Sequence, residues 1–194
     1  MIWIFLIFLG MIVYSALHYT VTAPEIQEQK NNRDKSEQEY IESTGIVITS
    51  KYEYANTLYA DNISWSQGIS YKFIVDGQNK KIHIFAKVER LTIPFSEIIG
   101  CEIFSDNQTV GGIKRAIVGG MLAGDTGALV GALTAKSHIM SYKIVIYRSN
   151  IRRPTTEILL LKGKTSTKSK GYASAVEFSQ KVLASIKAIM HSNG

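Results

Sequence analysis

This sequence of 194 residues has one cysteine, three prolines and no lysine or arginine before Lys30. A lone Cys101 excludes an intrachain disulfide, so the fold has to rest on its apolar core. Because Cys101 falls in a predicted strand, it reads as a small buried hydrophobe and not as a reactive thiol. Catalytic signatures are missing as well. There is no Gly-x-Ser-x-Gly elbow and no paired-carboxylate pattern. His18, His83, His138 and His191 show no metal-ligand spacing with a cysteine, an aspartate or one another. The string Lys162 to Ser166 (KGKTS) imitates the end of a phosphate-binding loop, but that loop needs a further glycine where this chain has Ile158. These absences predict a non-enzyme with no catalytic, cofactor-binding or metal-binding residues and no cofactor.

What the sequence does have is a twofold row of small residues. Gly119, Ala123, Gly127, Gly131 and Ala135 form one row, and Ala116, Gly120, Gly124, Ala128 and Ala132 form its neighbour. Small residues four apart stack on one helix face and let a second backbone approach closely, the packing logic of Gly-xxx-Gly contacts in membranes. Ile117, Val118, Met121, Leu122, Leu129, Val130 and Leu133 supply apolar surface around the rows. Such a stripe builds contacts.

Residues 1–20 predict a transmembrane anchor. Met1 to Leu17 contains no charged side chain. Extended to Tyr19, the run covers about 19 residues, enough at ~1.5 Å each to cross a hydrocarbon core of ~30 Å. A cleaved leader is the rival reading, but no basic residue precedes the run, and its best cleavage pattern, Val21-Thr22-Ala23, is followed at once by Pro24. Lys30, Arg33 and Lys35 follow the run, which places the rest of the chain in the cytoplasm by the positive-inside rule. The expected localisation is the cell membrane, single-pass. Residues 21–44 are polar and charge-mixed, a linker or an extension of the anchor helix.

Charge is unevenly shared. Residues 1–45 hold three basic and six acidic side chains, which leaves 19 of the chain's 22 basic and 10 of its 16 acidic residues to the remainder. That excess favours an anionic partner, lipid headgroups or nucleic acid. Aromatic and basic residues do alternate at Tyr71, Lys72 and Phe73 and at Tyr142, Lys143, Tyr147 and Arg148, but strands produce such mixtures by default, so nucleic acid is not the expected partner.

From Gly45 onward, short period-two runs separated by polar turns predict strands. The runs are Gly45–Lys51, Ser70–Asp76, Lys80–Ala86, Leu91–Phe95, Ile99–Phe104, Ser141–Arg148 and Thr156–Leu161. Asp76-Gly77 between the second and third is a hairpin signal, and Pro94 suits an edge or a strand end. From Tyr172 to Met190, Ala175, Phe178, Val182, Ile186 and Ile189 share one face of a closing helix. The fold class is α+β, a curled antiparallel sheet of about seven strands capped by a carboxyl-terminal helix, over residues 45–192.

The strings YKFIVDGQNKKIHIF, IPFSEIIGCEIFSDN, SYKIVIYRSN and KGYASAVEFSQKVLASIKAIM, with the Gly/Ala-rich stretch among them, resemble bacterial pleckstrin-homology-like (PH-like) proteins. The likeness is to a group that carries a Gly-rich insertion in mid-sheet and is sometimes found with a carboxyl-terminal SHOCT module. This sequence departs from other forms of the group in showing no SHOCT module and in its amino-terminal apolar run. The resemblance implies a PH-like barrel with a binding or scaffolding role and supplies no ligand residues.

Residues 111–137 are then an insertion in that domain. A single helix would place Asp125 at mid-membrane and would separate the last strands from the first. Gly124-Asp125-Thr126-Gly127 is a turn sequence, so a Gly/Ala-rich helical hairpin is the expected form. Gly119, Gly120, Ala123, Gly124, Gly127 and Gly131 would make its membrane contact or self-contact. Lys114, Arg115 and Lys136 would cluster at its base as candidates for anionic lipid, each worth about 1 kcal/mol near an anionic surface. The expected partners are the membrane, anionic lipid, and a second copy or an unidentified protein. A second function from another class is a Gly-zipper oligomer that perturbs or forms a membrane assembly.

Overall fold

The structure, a computed structural model, describes residues 28, 30–57, 68–86, 89–114 and 137–192. The expected anchor over residues 1–20, both Gly/Ala rows, Arg115 and Lys136 lie outside these residues. Among the described residues no helix is long and apolar enough to cross a membrane. The chain divides into two compact units, residues 1–46 and 47–194.

In the first unit, residues 30–44 form helix α1. Its end is a Schellman cap: Gly45, at φ 66°, donates from its N–H to the carbonyl of Glu42, and the Ile46 N–H donates to that of Ile41. Residues 30–44 of the polar segment are thus helical, and residues 21–27 and 29 lie outside the described ones.

The second unit holds β1 (Ser50–Thr57), β2 (Gly68–Asp76), β3 (Lys81–Ala86), β4 (Arg90–Pro94), β5 (Ile98–Ser105), β6 (Gln108–Lys114), β7 (His138–Arg148), β8 (Thr155–Ser166) and the terminal helix α2 (Lys170–Ser192). The strands form two four-stranded sheets, ordered β1-β2-β3-β4 and β6-β5-β7-β8. Every neighbouring pair is antiparallel. The α+β class and the capping helix are therefore as expected, whereas the single curled sheet is corrected to two sheets that do not close into a barrel.

The break between the sheets has a local cause. Pro94 has no N–H to continue a ladder and leads into a 3-10 turn at Phe95–Glu97, after which β5 begins in the other sheet. At the opposite seam, the Tyr54 hydroxyl donates to the Leu160 carbonyl at 2.8 Å, a side-chain bond joining β1 to β8.

Two strand assignments also change. Of Gly45–Lys51 only Ser50 and Lys51 are strand, the start of β1, because Gly45 belongs to the helix cap and residues 46–49 run irregularly into β1. Val47 is held there by the Asp76 carboxylate (3.2 Å), and the Thr49 N–H donates to the Val75 carbonyl (2.8 Å). The other change is β6, an eighth strand in a stretch expected to open the Gly/Ala insertion.

One core joins the sheets and α2. Phe73, Ile82 and Ile93 of the first sheet, Ile103, Ile144, Ile146 and Leu160 of the second, and Ala175, Val182 and Ile186 of α2 are all essentially inaccessible. Burying an Ile, Leu or Phe of this kind contributes about 1.5–3 kcal/mol. Ser169 starts α2 by accepting from the Tyr172 N–H at 3.2 Å, and the helix packs on β5, β1, β8 and β6.

Candidate interaction site

The side chains best suited to chemistry are tied into the scaffold. Asp76 closes β2 and is 1% exposed. Its carboxylate accepts from the Val47 N–H, the Asn79 N–H (2.9 Å) and the Asn79 side chain (2.8 Å), so it fixes both the β2–β3 turn and the approach to β1. His83 on β3 is also buried, with Nδ1 3.0 Å from the Thr92 hydroxyl and Nε2 3.8 Å from Asp76. Burial lowers its pKa from 6.5, which the Asp76 charge counters without overcoming. Cys101 on β5 is fully buried and burial pushes its thiol up, which matches the inert reading of that residue.

Polar ties of the same kind occupy the second sheet. Arg148 at the end of β7 donates from Nε (3.1 Å) and Nη2 (2.6 Å) to one carboxylate oxygen of Glu97 in the 3-10 turn, linking the two sheets where the backbone ladder breaks. Tyr147 donates to Glu102 at 2.5 Å, and that hydrogen bond is the main reason its pKa is pushed up to about 12. KGKTS is the bulged end of β8, with Gly163 at φ 92° and the register shifting opposite it. Among the described residues no group of His, Cys, Asp and Glu could hold a metal ion.

A groove of about 250 Å³ lies between β1 and α2. Tyr52, Tyr54 and Phe178 line it together with Ser174, while Lys51 pairs with Glu53 (2.9 Å) and Lys181 with Glu177 (2.7 Å) around it. Ser185 donates to the Tyr52 hydroxyl at 3.0 Å, which, as the first of several causes, lowers that tyrosine's pKa. Nothing in the sequence pattern singled out this groove, because it arises from contact between elements more than a hundred residues apart.

The Gly/Ala segment itself lies outside the described residues, but the strands that flank it are placed. Lys114, expected at the base of a hairpin, is the last residue of β6 and stands opposite Gly100. The Gly/Ala insertion therefore starts after Lys114 and not at residue 111. Gly100 in turn pairs with Tyr147 of β7, while the chain returns at His138, the first residue of β7. From Tyr147 back to His138 is nine residues, about 30 Å at ~3.3 Å per residue. Both β6 and β7 run antiparallel to β5, which lies between them, so they are parallel to each other and the chain between them crosses from one end of the sheet to the other. Lys114 and His138, the described residues that flank the segment, thus stand at opposite ends of the sheet, whereas a shared base was expected for Lys114, Arg115 and Lys136, of which Arg115 and Lys136 lie outside the described residues. The cause is β6, which carries the chain the length of the sheet before the small-residue rows begin.

Comparison with known sequences adds a family. The model of the family described as "Glycine zipper containing PH domain" matches residues 57–162, just over half of the chain. Two curated relatives are 44% identical to it over 61 residues, which is 30% of this chain. One, from Bacillus phage SPbeta, is named "Immunity protein", and the match covers 28% of it. The other, from Bacillus subtilis (strain 168), is named "SPbeta prophage-derived uncharacterized membrane protein YomJ", and the match covers 25% of it. The chain thus spans about a quarter of the length of these relatives. No solved structure matches it.

Proposed function

The chain belongs to the family of glycine zipper-containing PH domains, and from that premise we propose that it is a non-catalytic, membrane-associated binding or scaffolding protein. The observation that carries this reading is the family match itself, which takes in β2 to β7, most of β8 and the apolar Gly/Ala segment. Asp76, committed to the β2–β3 turn, and Arg148 and Glu97, committed to the seam between the sheets, are in keeping with it. The relatives' names, one a membrane protein and one an immunity protein, are compatible with a protein that acts by contact.

In its finer form the reading has residues 1–20 as a single-pass anchor in the cell membrane with the PH-like domain on the cytoplasmic side. Gly119, Gly120, Ala123, Gly124, Gly127 and Gly131 supply a membrane contact or self-contact, and Lys114, Arg115 and Lys136 lie near anionic lipid. Because the two ends of that segment stand at opposite ends of the sheet, the basic residues serve two places and not one.

The test uses the full chain expressed in bacteria. It pellets with membranes and resists alkaline carbonate extraction, and protease added to sealed spheroplasts leaves the domain intact. Failure to pellet with membranes overturns membrane association, recovery in the carbonate supernatant overturns the anchor, and digestion from outside overturns the orientation. Replacing Gly120, Gly124 and Gly127 together with Leu abolishes higher-order crosslinked species if the rows mediate self-contact; unchanged crosslinking removes self-contact and the oligomer reading with it.

A further inference from the structure

Three buried side-chain atoms among the described residues lack a hydrogen-bond partner: Oγ of Ser105, Nη1 of Arg148 and Nε2 of His83. Buried polar atoms are nearly always bonded, and of these three only the histidine nitrogen belongs to a group that changes protonation near neutral pH. The other ring nitrogen, Nδ1, lies 3.0 Å from the Thr92 hydroxyl, which fixes the ring against β4. Nε2 is turned toward Oδ2 of Asp76 at 3.8 Å, too far for a hydrogen bond, and the two side chains are only 8% and 1% exposed.

That carboxylate oxygen is already engaged. Oδ2 of Asp76 accepts from the Asn79 side chain at 2.8 Å and from the Val47 N–H at 3.2 Å, while Oδ1 accepts from the Asn79 N–H at 2.9 Å. The Val47 bond is the longest of the three and the one that reaches furthest along the chain. It belongs to a clasp on the β2–β3 turn, in which the Thr49 N–H also donates to the Val75 carbonyl (2.8 Å) and the Gly77 N–H to the Thr49 hydroxyl (2.9 Å). Val47 and Ile48 leave their side chains exposed, so these bonds carry much of the attachment. In the neutral ring, whichever tautomer it takes, Nε2 stays out of bonding range. Protonation makes both ring nitrogens donors, and a short approach then turns the gap into a charge-assisted bond. Oδ2 would have three donors for its two lone pairs, and the longest bond, from Val47, is the one displaced.

We propose that His83 is a pH-sensitive release for this clasp: on protonation it takes Oδ2 of Asp76 and frees the Val47 N–H, so that the entry to β1 loosens while the β2–β3 hairpin keeps its form. Strand alternation places Lys72 and Asp76 of β2, Lys81 of β3 and Arg90 of β4 on the face of the sheet that bears His83. Burial opposes the charged ring and Lys81 adds to that, whereas Asp76 favours it, so the change falls below the ordinary 6.5. The inference goes beyond the membrane reading and does not depend on it.

Nuclear magnetic resonance of the isotope-labelled full chain in detergent tests it, because His83 and Val47 are read in one sample. As the pH is lowered from about 7 to about 5, the His83 ring signal titrates and the Val47 amide loses protection against hydrogen exchange with the same midpoint. The loss is about tenfold, the factor for one hydrogen bond to a charged group. The Thr49 amide, bonded to Val75 and not to Asp76, keeps its protection. In His83→Gln the protection at Val47 stays level over the interval. Titration of His83 with no change at Val47, or with a gain of protection there, overturns the release. Equal loss at Val47 in the unsubstituted chain and in His83→Gln assigns it to Asp76 or another group and overturns the role of His83. Joint loss at Val47 and Thr49 means that the sheet opens as a whole, which overturns the clasp as a separate device. Coincident or separate midpoints at His83 and Val47 in the unsubstituted chain decide the matter even where the variant does not fold.

Discussion

Asp76 and His83 show how a buried charge is made to serve structure. Burial opposes ionisation of Asp76, but the hydrogen bonds from Asn79 and Val47 outweigh it and hold the carboxyl below its ordinary 3.8. His83 is the contrary case, with burial keeping the ring neutral below its ordinary 6.5. The two signs add in one direction. As pH falls through the ordinary histidine range the unfolded chain takes up the His83 proton before the folded chain does, so stability drops there. At still lower pH the Asp76 contribution is lost as its carboxylate is titrated in the folded state. Thermal unfolding of the chain in detergent, followed by circular dichroism, will therefore show a midpoint that declines between about pH 7 and about pH 5. His83→Gln keeps a polar partner for Thr92 and removes the titration, so its midpoint stays level over that interval. A variant that keeps the full decline would assign the loss to other groups.

Among the elements, β6 decides most and was hardest to read. Its sequence, QTVGGIK, joins directly to the glycine-rich stretch, and two adjacent glycines weaken a strand pattern. Inside the sheet the glycine has a steric reason. A Cβ built on Gly112 would lie 2.9 Å from the Cys101 carbonyl oxygen and 2.6 Å from the Glu102 side chain. The side chain of Glu102 is flexible, but the Cys101 backbone is held in the middle of β5. Gly112→Ala therefore destabilises the domain by about 1–3 kcal/mol through overpacking, read as a lower denaturant midpoint, whereas Gly45→Ala strains only a helix cap with open space around it. An unchanged midpoint for Gly112→Ala would mean that β6 does not pack on β5 in this register. By contrast α2 and the β2–β3 hairpin were legible from the start, because a helical apolar stripe and an Asp-Gly turn are local patterns that tertiary contacts reinforce. The break at Pro94 was legible as a strand end but not as the seam between two sheets, which depends on Arg148 and Glu97 meeting across 51 positions of sequence.

For the whole molecule, the small-residue rows were visible in sequence as a contact surface, but where the chain enters and leaves them depends on strand order. Strand order is a property of the assembled sheet, and no spacing within residues 111–137 encodes it. With β5 lying between β6 and β7, the chain leaves one end of the sheet at Lys114 and rejoins it at the other end at His138. A hairpin whose feet stand together would instead require these residues to be neighbours. The two geometries differ by more than any side-chain motion can bridge, so a distance measurement separates them. Spin labels on Lys114→Cys and His138→Cys, with buried Cys101 unlabelled, will give a distance distribution centred near ~30 Å, the length of nine residues of strand. The measurement should not shift when Gly120, Gly124 and Gly127 are replaced by Leu, because the separation is set by the β5 ladder and not by how the rows pack. A distribution centred below about 15 Å, some four strand residues, would return Lys114 and Lys136 to a common base. It would equally require β6 to leave the edge of the second sheet, which would also free Gly112 from its contact with Cys101. The distance and the Gly112→Ala midpoint therefore stand or fall together.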